Sequence, residues 1–571
     1  MRNEDPAPGH RIHDGSYRRD AFMSLIRQFW IAIAVVMLLS LAAGLVAGTL
    51  GLASRSDDAY RSLQGTMPSL AWFAGGGLLC GLAGTLLLKR IRRPLRALVE
   101  QAQAIGDRRF ITTPEPRTRE LRAVVRSMNQ LSARIRSMLD AEAQRLEELQ
   151  RETQRDEPTG LYSRRPFLNL IDSALAREDA RAGGALVLVR LEGLARLNQR
   201  LGRAAADALL RTLAQRLREV AAQHVESDCG RLNAGDFAIL TSGGAASALV
   251  ADALDEALRS LLGEDAAPAR LLIAATDYAP GESCSQLLAR IDGALAAAAE
   301  SGEARAQIAP GRDTMRSARP LDAWRAELEA ALAGNRLRLE QFAVVSRTGA
   351  LLHHEAAARM QLYGEWQHAG RFLPAAARLG MASAIDACVV RAAVRSLEQD
   401  DDGTLAINLS AEALCDHGFR DALYDILKTR PRVARRLWIE VRELSELHHQ
   451  VEFRALCLAL RPLGCRVGLD HAGRHLSRFA ELQDIGIDYL KISAAFVRGI
   501  DALPGNRAFM RGLCTIAHSI GLMTIAQGVV SPAERDCLAA LGVDGMTGPG
   551  IGIVAGRTRP HASPEAADSG T

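Results

Sequence analysis

Six polar side chains close strand-like apolar runs in the second half of the chain: Glu355, Asn408, Glu440, Asp470, Lys491 and Gln527. Carboxylate and amide oxygens are the ligands that hard divalent cations take, so this set has the makings of a metal centre. The stretch VGLDHAGRHLS (467–477) reads as a buried strand that delivers Asp470 to a small loop at Gly473. His471, Arg474 and His475 crowd that loop, so it is either a working metal loop or what is left of one.

The runs that must position these residues are RLRLEQFAVV, LLHHEAAARM, LAINLSA, RLWIEV, RVGLDHA, YLKIS, LMTIAQGV and a weaker segment near Val543–Ile553. Helical stretches such as PAAARLGMASAIDACVVRAAVRSL separate most of them. Eight strands alternating with helices predict a (β/α)8 barrel, whose chemistry lies at the carboxyl ends of its strands.

A chain of 571 residues is too long for one core and predicts several domains. The net charge of +4, with no basic stripe interleaved with aromatics, argues against a nucleic-acid partner. Nine dispersed cysteines without a CxxC pair read as free thiols in a reducing compartment. Lysine occurs only at 89, 428 and 491 in an arginine-rich chain, which marks each of the three as a place where a compact ammonium is of interest, since arginine is no substitute for one.

Uncharged runs at 28–54 and 62–88 are long enough to cross a bilayer. The spans are placed at 28–50 and 68–88, forming a transmembrane hairpin over 28–88. Arginines before the first run and Lys89, Arg90, Arg92 and Arg93 after the second place both termini in the cytoplasm. The expected location is a bacterial inner membrane. Residues 1–27 form a polar tail, and Met23 is a candidate start. A helix from Pro94, a connector, and a second helix follow. Leu121, Val124, Met128, Leu131, Ile135 and Met138 on that second helix make a heptad seam, which predicts a parallel homodimer. Region 89–154 resembles a HAMP relay.

DEPTGLYSRRPF (156–167), a buried strand ALVLVRLEG and the turn RLNAGDFAIL resemble a GGDEF domain of α/β fold, assigned to 155–308. At the family's signature turn stand Asn233, Ala234, Gly235 and Asp236, and Arg190 replaces a metal-binding Asp. Asn198 and Asp207 match guanine-contacting positions, and the RxxD inhibitory motif is absent at 224–227. The resemblance therefore implies a degenerate domain. After a linker (309–320), residues 321–558 resemble an EAL domain, a phosphodiesterase and receptor for cyclic di-GMP, and 559–571 form a tail.

Glu355 and Arg359 in HEAAAR, Asn408 in INLS, Glu440 in IEVRE, Asp470 in LDHAG and Lys491 in YLKIS carry that second resemblance. It implies that Glu355, Arg359, Asn408 and Lys491 bind cyclic di-GMP. It also puts Lys491 and Gln527 at catalytic positions, and leaves Glu355, Asn408, Glu440 and Asp470 to hold one Mg2+ or Mn2+. His471, Ser493, Gln527 and Thr547 replace two Asp, a Glu and a Gln of the pattern. Two-metal hydrolysis needs several carboxylates against the repulsion of its ions, so the expected role is a receptor. A weak phosphodiesterase and a ligand-free scaffold stay open. The whole order resembles LapD-type receptors with the periplasmic domain nearly absent, and implies an output protein in the membrane or cytoplasm.

Overall fold

The computed structural model describes residues 92–551 except 106–109, 117–118, 180, 225, 244–245, 260, 262–268, 302–305, 312–318, 444–447 and 475–484, plus isolated positions between 30 and 89. The predicted spans at 28–50 and 68–88 lie almost entirely outside the described residues, as do the tails and His475. Among the described residues no helix is long and apolar enough to cross a membrane.

A helix over 92–105 precedes the helix Arg119–Gln154. Asn129 ties the connector to both: its Oδ1 accepts from Gln101 Nε2 and from Thr113 N, each at 3.0 Å. Its Nδ2 donates to Thr113 O at 2.9 Å. Val125 and Ser132 are buried, whereas Val124, Leu131 and Met138 of the heptad seam are exposed.

The first α/β domain is a five-stranded sheet in the order β2-β3-β1-β4-β5. Its strands are β1 (Gly184–Glu192), β2 (Ser227–Arg231), β3 (Asp236–Ser242), β4 (Arg270–Tyr278) and β5 (Gln307–Ala309). β1 sits centrally and is apolar on both faces, because helices cover both sides.

The second domain closes on itself. Its strands are β6 (Leu337–Ser346), β7 (Leu351–Leu362), β8 (Glu365–His368), β9 (Leu405–Leu409), β10 (Leu437–Arg442), β11 (Arg466–Ala472), β12 (Tyr489–Ile492), β13 (Met523–Ala526) and β14 (Gly545–Met546). The ring runs β6-β14-β13-β12-β11-β10-β9-β7, and β6–β7 pairing completes eight strands. All eight runs read from the sequence become barrel strands. One feature differs from a regular (β/α)8 barrel: β6 is antiparallel to both neighbours, because it enters β7 through a hairpin and not a helix. β8, a short partner of β7, had no apolar run to announce it. The long helical stretch after it is two helices, Ala369–Arg378 and Ala382–Gln399, parted at Gly380, whose φ of +66° ends the first.

Inside the barrel, the amino half is filled by Val344, Ala406, Trp438, Tyr489 and Ile525. His353 stacks on Trp438 with ring centroids 4.0 Å apart, and burial pushes its imidazole down to about 3. It therefore packs as a neutral ring. Gly468 makes this filling possible: a Cβ there would come within 2.4 Å of the Tyr489 ring.

Candidate functional site

Parallel pairing aligns the carboxyl ends of β9, β10 and β11, with Asn408 opposite Glu440 and Glu440 opposite Gly468. Glu355, Glu440, Asp470 and Lys491 meet at that end. Lys491 is 0% exposed, and its Nζ lies 2.7 Å from Glu440 Oε2, 2.9 Å from Glu355 Oε1 and 3.6 Å from Asp470 Oδ1. Burial opposes its charge, but Glu355, Glu440 and Asp470 together outweigh that and hold the ammonium above its ordinary range. Burial pushes the fully enclosed Glu440 up to about 8, against the pull of Lys491. Asp470 goes the other way, to about 2: burial is more than offset by the His471 ring, Lys491, Arg442 and the Gln527 amide.

The positions where the resemblance placed three further acids and a glutamine are used differently. Gln527 Nε2 donates to Asp470 Oδ1 at 2.7 Å. Ser493 Oγ caps the short helix Ala494–Val497 by accepting from Ala495 N. Thr547 Oγ1 donates to Ala343 O at 3.2 Å, joining the chain after β14 to β6. His471 sits at a φ of +56° with Nε2 3.5 Å from Asp470 Oδ2, and burial pushes its ring down to about 3. None of the four brings a negative charge. Asn408 is exposed on β9 beside the cluster. Tyr489, which sequence reasoning passed over, donates from its hydroxyl to Glu440 Oε1 at 3.1 Å. The signal was present: Tyr489 and Lys491 are two apart on one strand and share its inner face.

Arg359, the predicted phosphate partner, is held between two carboxylates. Its Nε donates to Glu340 Oε2 at 2.7 Å and its Nη1 to Glu178 Oε2 at 2.6 Å. Glu178 belongs to the first α/β domain, in a loop that also sends Asp179 to Arg442. Arg474, in the loop after β11, reaches Asp228 of β2 at 3.0 Å, and the backbone amides of Gly473 and Arg474 donate to Glu443. Asp228 is the main reason the Arg474 guanidinium is held above its ordinary range. Gly370 lets that acidic loop close in, since a Cβ there would meet Arg177 O at 2.6 Å.

In the first domain, Arg190 and Asp236 are cross-strand partners and form a two-pronged ion pair at 2.8 and 3.0 Å. Asn233 folds over the turn: its Oδ1 accepts from Gly235 N and Asp236 N, and its Nδ2 donates to Asp236 Oδ2. Ala234 O accepts from Arg231. A cavity of about 500 Å³ lined by Arg190, Glu192, Asn198 and Asn233 opens beside this turn. Its cation is a guanidinium from the chain itself.

These two folds, with the helical pair before them, define a class. Residues 86–137 match the HAMP domain, 153–305 the diguanylate cyclase GGDEF domain and 325–552 the EAL domain. The chain has a HAMP–GGDEF–EAL architecture. An uncharacterized protein of Mycobacterium tuberculosis is 29% identical over 404 residues, covering 67% of this chain and 63% of its own. The chain thus spans less than two thirds of that relative. NbdA of Pseudomonas aeruginosa, a cyclic di-GMP phosphodiesterase, is 25% identical over 400 residues, covering 66% of this chain and 50% of that one. The S helix–GGDEF–EAL portion of Vibrio cholerae LapD in its apo form superposes with a TM-score of 0.63. At 21% identity it covers 72% of this chain and 99% of that one, a likeness of fold.

Proposed function

We propose that this chain is a receptor for cyclic di-GMP that binds the nucleotide at the barrel mouth without hydrolysing it. The single observation that carries this reading is the altered acid set. Around Asp470, three positions that would carry carboxylates in a hydrolytic EAL domain hold His471, Ser493 and Gln527. Glu355, Arg359, Asn408 and the barrel shape remain to meet a dianionic ligand, and a guanidinium makes charge-assisted bonds to phosphate. The first domain then acts as a degenerate partner, with its turn closed by Arg190 and Asn233. We further propose that the uncharged runs at 28–50 and 68–88 anchor the protein in a bacterial inner membrane. The heptad seam pairs two copies, and the output passes to a membrane or cytoplasmic protein.

Calorimetry of the full chain with cyclic di-GMP, with and without Mg2+, tests this, followed by chromatography for linear product. Binding without product is the expected result, and Arg359→Ala weakens it by about tenfold or more. Product that Glu355→Ala abolishes assigns the chain to hydrolysis. No heat at all assigns it to a scaffold, a reading favoured by one fact: Arg359 is already paired by Glu178 and Glu340.

A further inference from the structure

We infer that Phe342 is the stacking platform for one guanine of the nucleotide, a base subsite at the rim of the barrel mouth beside Glu355. The inference rests on the receptor reading above and gives the base a place of its own, apart from the charged residues that meet the phosphates.

The register of the hairpin places the ring. β6 is antiparallel to β7 and β14, so its amino half stands at the carboxyl ends of the other strands. Phe342 is the direct cross-strand partner of Glu355. Directly opposed side chains share one face of an antiparallel pair, about 5 Å apart at Cβ. That face is the inner one. Two residues along β6, Val344 is among the side chains that fill the barrel, and the strand period of two puts Phe342 above it on the same side. Glu355 shows the same direction, since its Oε1 lies 2.9 Å from Lys491 Nζ. On the opposite face Leu337, Leu339, Ala356 and Met360 belong to the large apolar core around the barrel. Thr547 Oγ1 donates to Ala343 O and so fixes β6 beside the end of β14 at this point.

Exposure and spacing say what the ring meets. Val344 below it is fully buried, whereas Phe342 is 45% exposed. Covering the remaining apolar surface is favourable, and a nucleobase does so well because every base presents a π-face to an aromatic ring. Arg359 sets the distance. Its Nε donates to Glu340 Oε2 at 2.7 Å, and Glu340 is two residues from Phe342 on the same face. Two residues of a strand span about 7 Å, and a ribose separates base from phosphate by a comparable length. A phosphate on the guanidinium therefore leaves its base over the Phe342 ring. Glu340 and Glu355 stand beside that ring. Their oxygens can accept from the N–H donors on a guanine edge and repel a phosphate, so the position suits the base.

Titration calorimetry of the full chain with cyclic di-GMP tests this on wild type, Phe342→Ala, Phe342→Leu and Phe342→Trp, with thermal melts as a check on folding. Phe342→Ala is expected to bind about tenfold or more weakly than wild type. Phe342→Leu should be weakened as well, because it keeps apolar surface and loses the ring, and Phe342→Trp should bind at least as tightly as wild type. Tryptophan fluorescence gives a direct signature: at saturating nucleotide, Phe342→Trp should be quenched beyond the change seen in wild type. A folded Phe342→Ala or Phe342→Leu with wild-type affinity overturns the stack and leaves the receptor reading standing. A wild type that takes up no nucleotide overturns both. Should Phe342→Ala not fold, the tryptophan variant decides, and nucleotide bound without added quenching overturns the inference.

Discussion

Burial decides what each ionisable residue in the barrel can do, and Asp386 shows this most simply. It lies on the buried face of the helix Ala382–Gln399, where its Oδ2 accepts from Ser410 N at 2.8 Å just past Asn408. Burial raises its carboxyl from 3.8 to about 7. The folded chain thus keeps a proton that the unfolded chain releases. The stability this carries is complete below pH 3.8 and is lost as pH rises through about 7. Asp386→Asn removes the effect. The stability of wild type relative to the variant should fall by up to about 4 kcal/mol across that window, read from denaturant melts at several pH values. Parallel curves would sink the assignment. In the metal-like cluster the residue identities were legible, since Glu355, Glu440, Asp470 and Lys491 each close an apolar run. Their partnership was not, because it depends on how deep each side chain sits.

At the scale of elements, periodicity carried well. The eight barrel runs all form strands, since a run apolar on both faces has few alternatives in a barrel wall. The exceptions have local causes. β6 turns back through a hairpin at Gly349 with a φ of +85°, and β8 is too short and polar to declare itself. The helix Arg119–Gln154 bears on assembly. One stripe is buried through Val125 and Ser132, while Leu131 and Met138 stay 50% and 67% exposed. Those exposed residues repeat at heptad spacing, the pattern by which helices pair. Leu131→Asp is therefore expected to convert a dimer to a monomer in sedimentation equilibrium, with the barrel's circular dichroism unchanged. A wild type that is already monomeric would reject the seam as a pairing surface.

In the whole molecule, the contacts of greatest consequence join distant parts of the chain. Glu178 meets Arg359 across 181 positions, and Asp228 meets Arg474 across 246. If Arg359 is to hold a phosphate, Glu178 competes with it. Removing the competitor shifts the population toward the open arginine. Glu178→Gln should accordingly tighten cyclic di-GMP binding by a few fold in titration calorimetry, and added salt should blunt the difference. Equal affinity in the two proteins would show that this pair does not oppose the ligand.

By itself the sequence determined the order of the domains, the barrel class, and which acids are present or missing, because these follow from periodicity and from the chemistry of single residues. The tertiary structure alone decided that Lys491 lies among Glu355, Glu440 and Asp470. It alone brought an acidic loop of the first domain to Arg359 and Arg442, and Asp228 of β2 to Arg474. Barrel closure and domain packing bring together charges that no local pattern links, and in a buried place the nearest opposite charge settles what each one does.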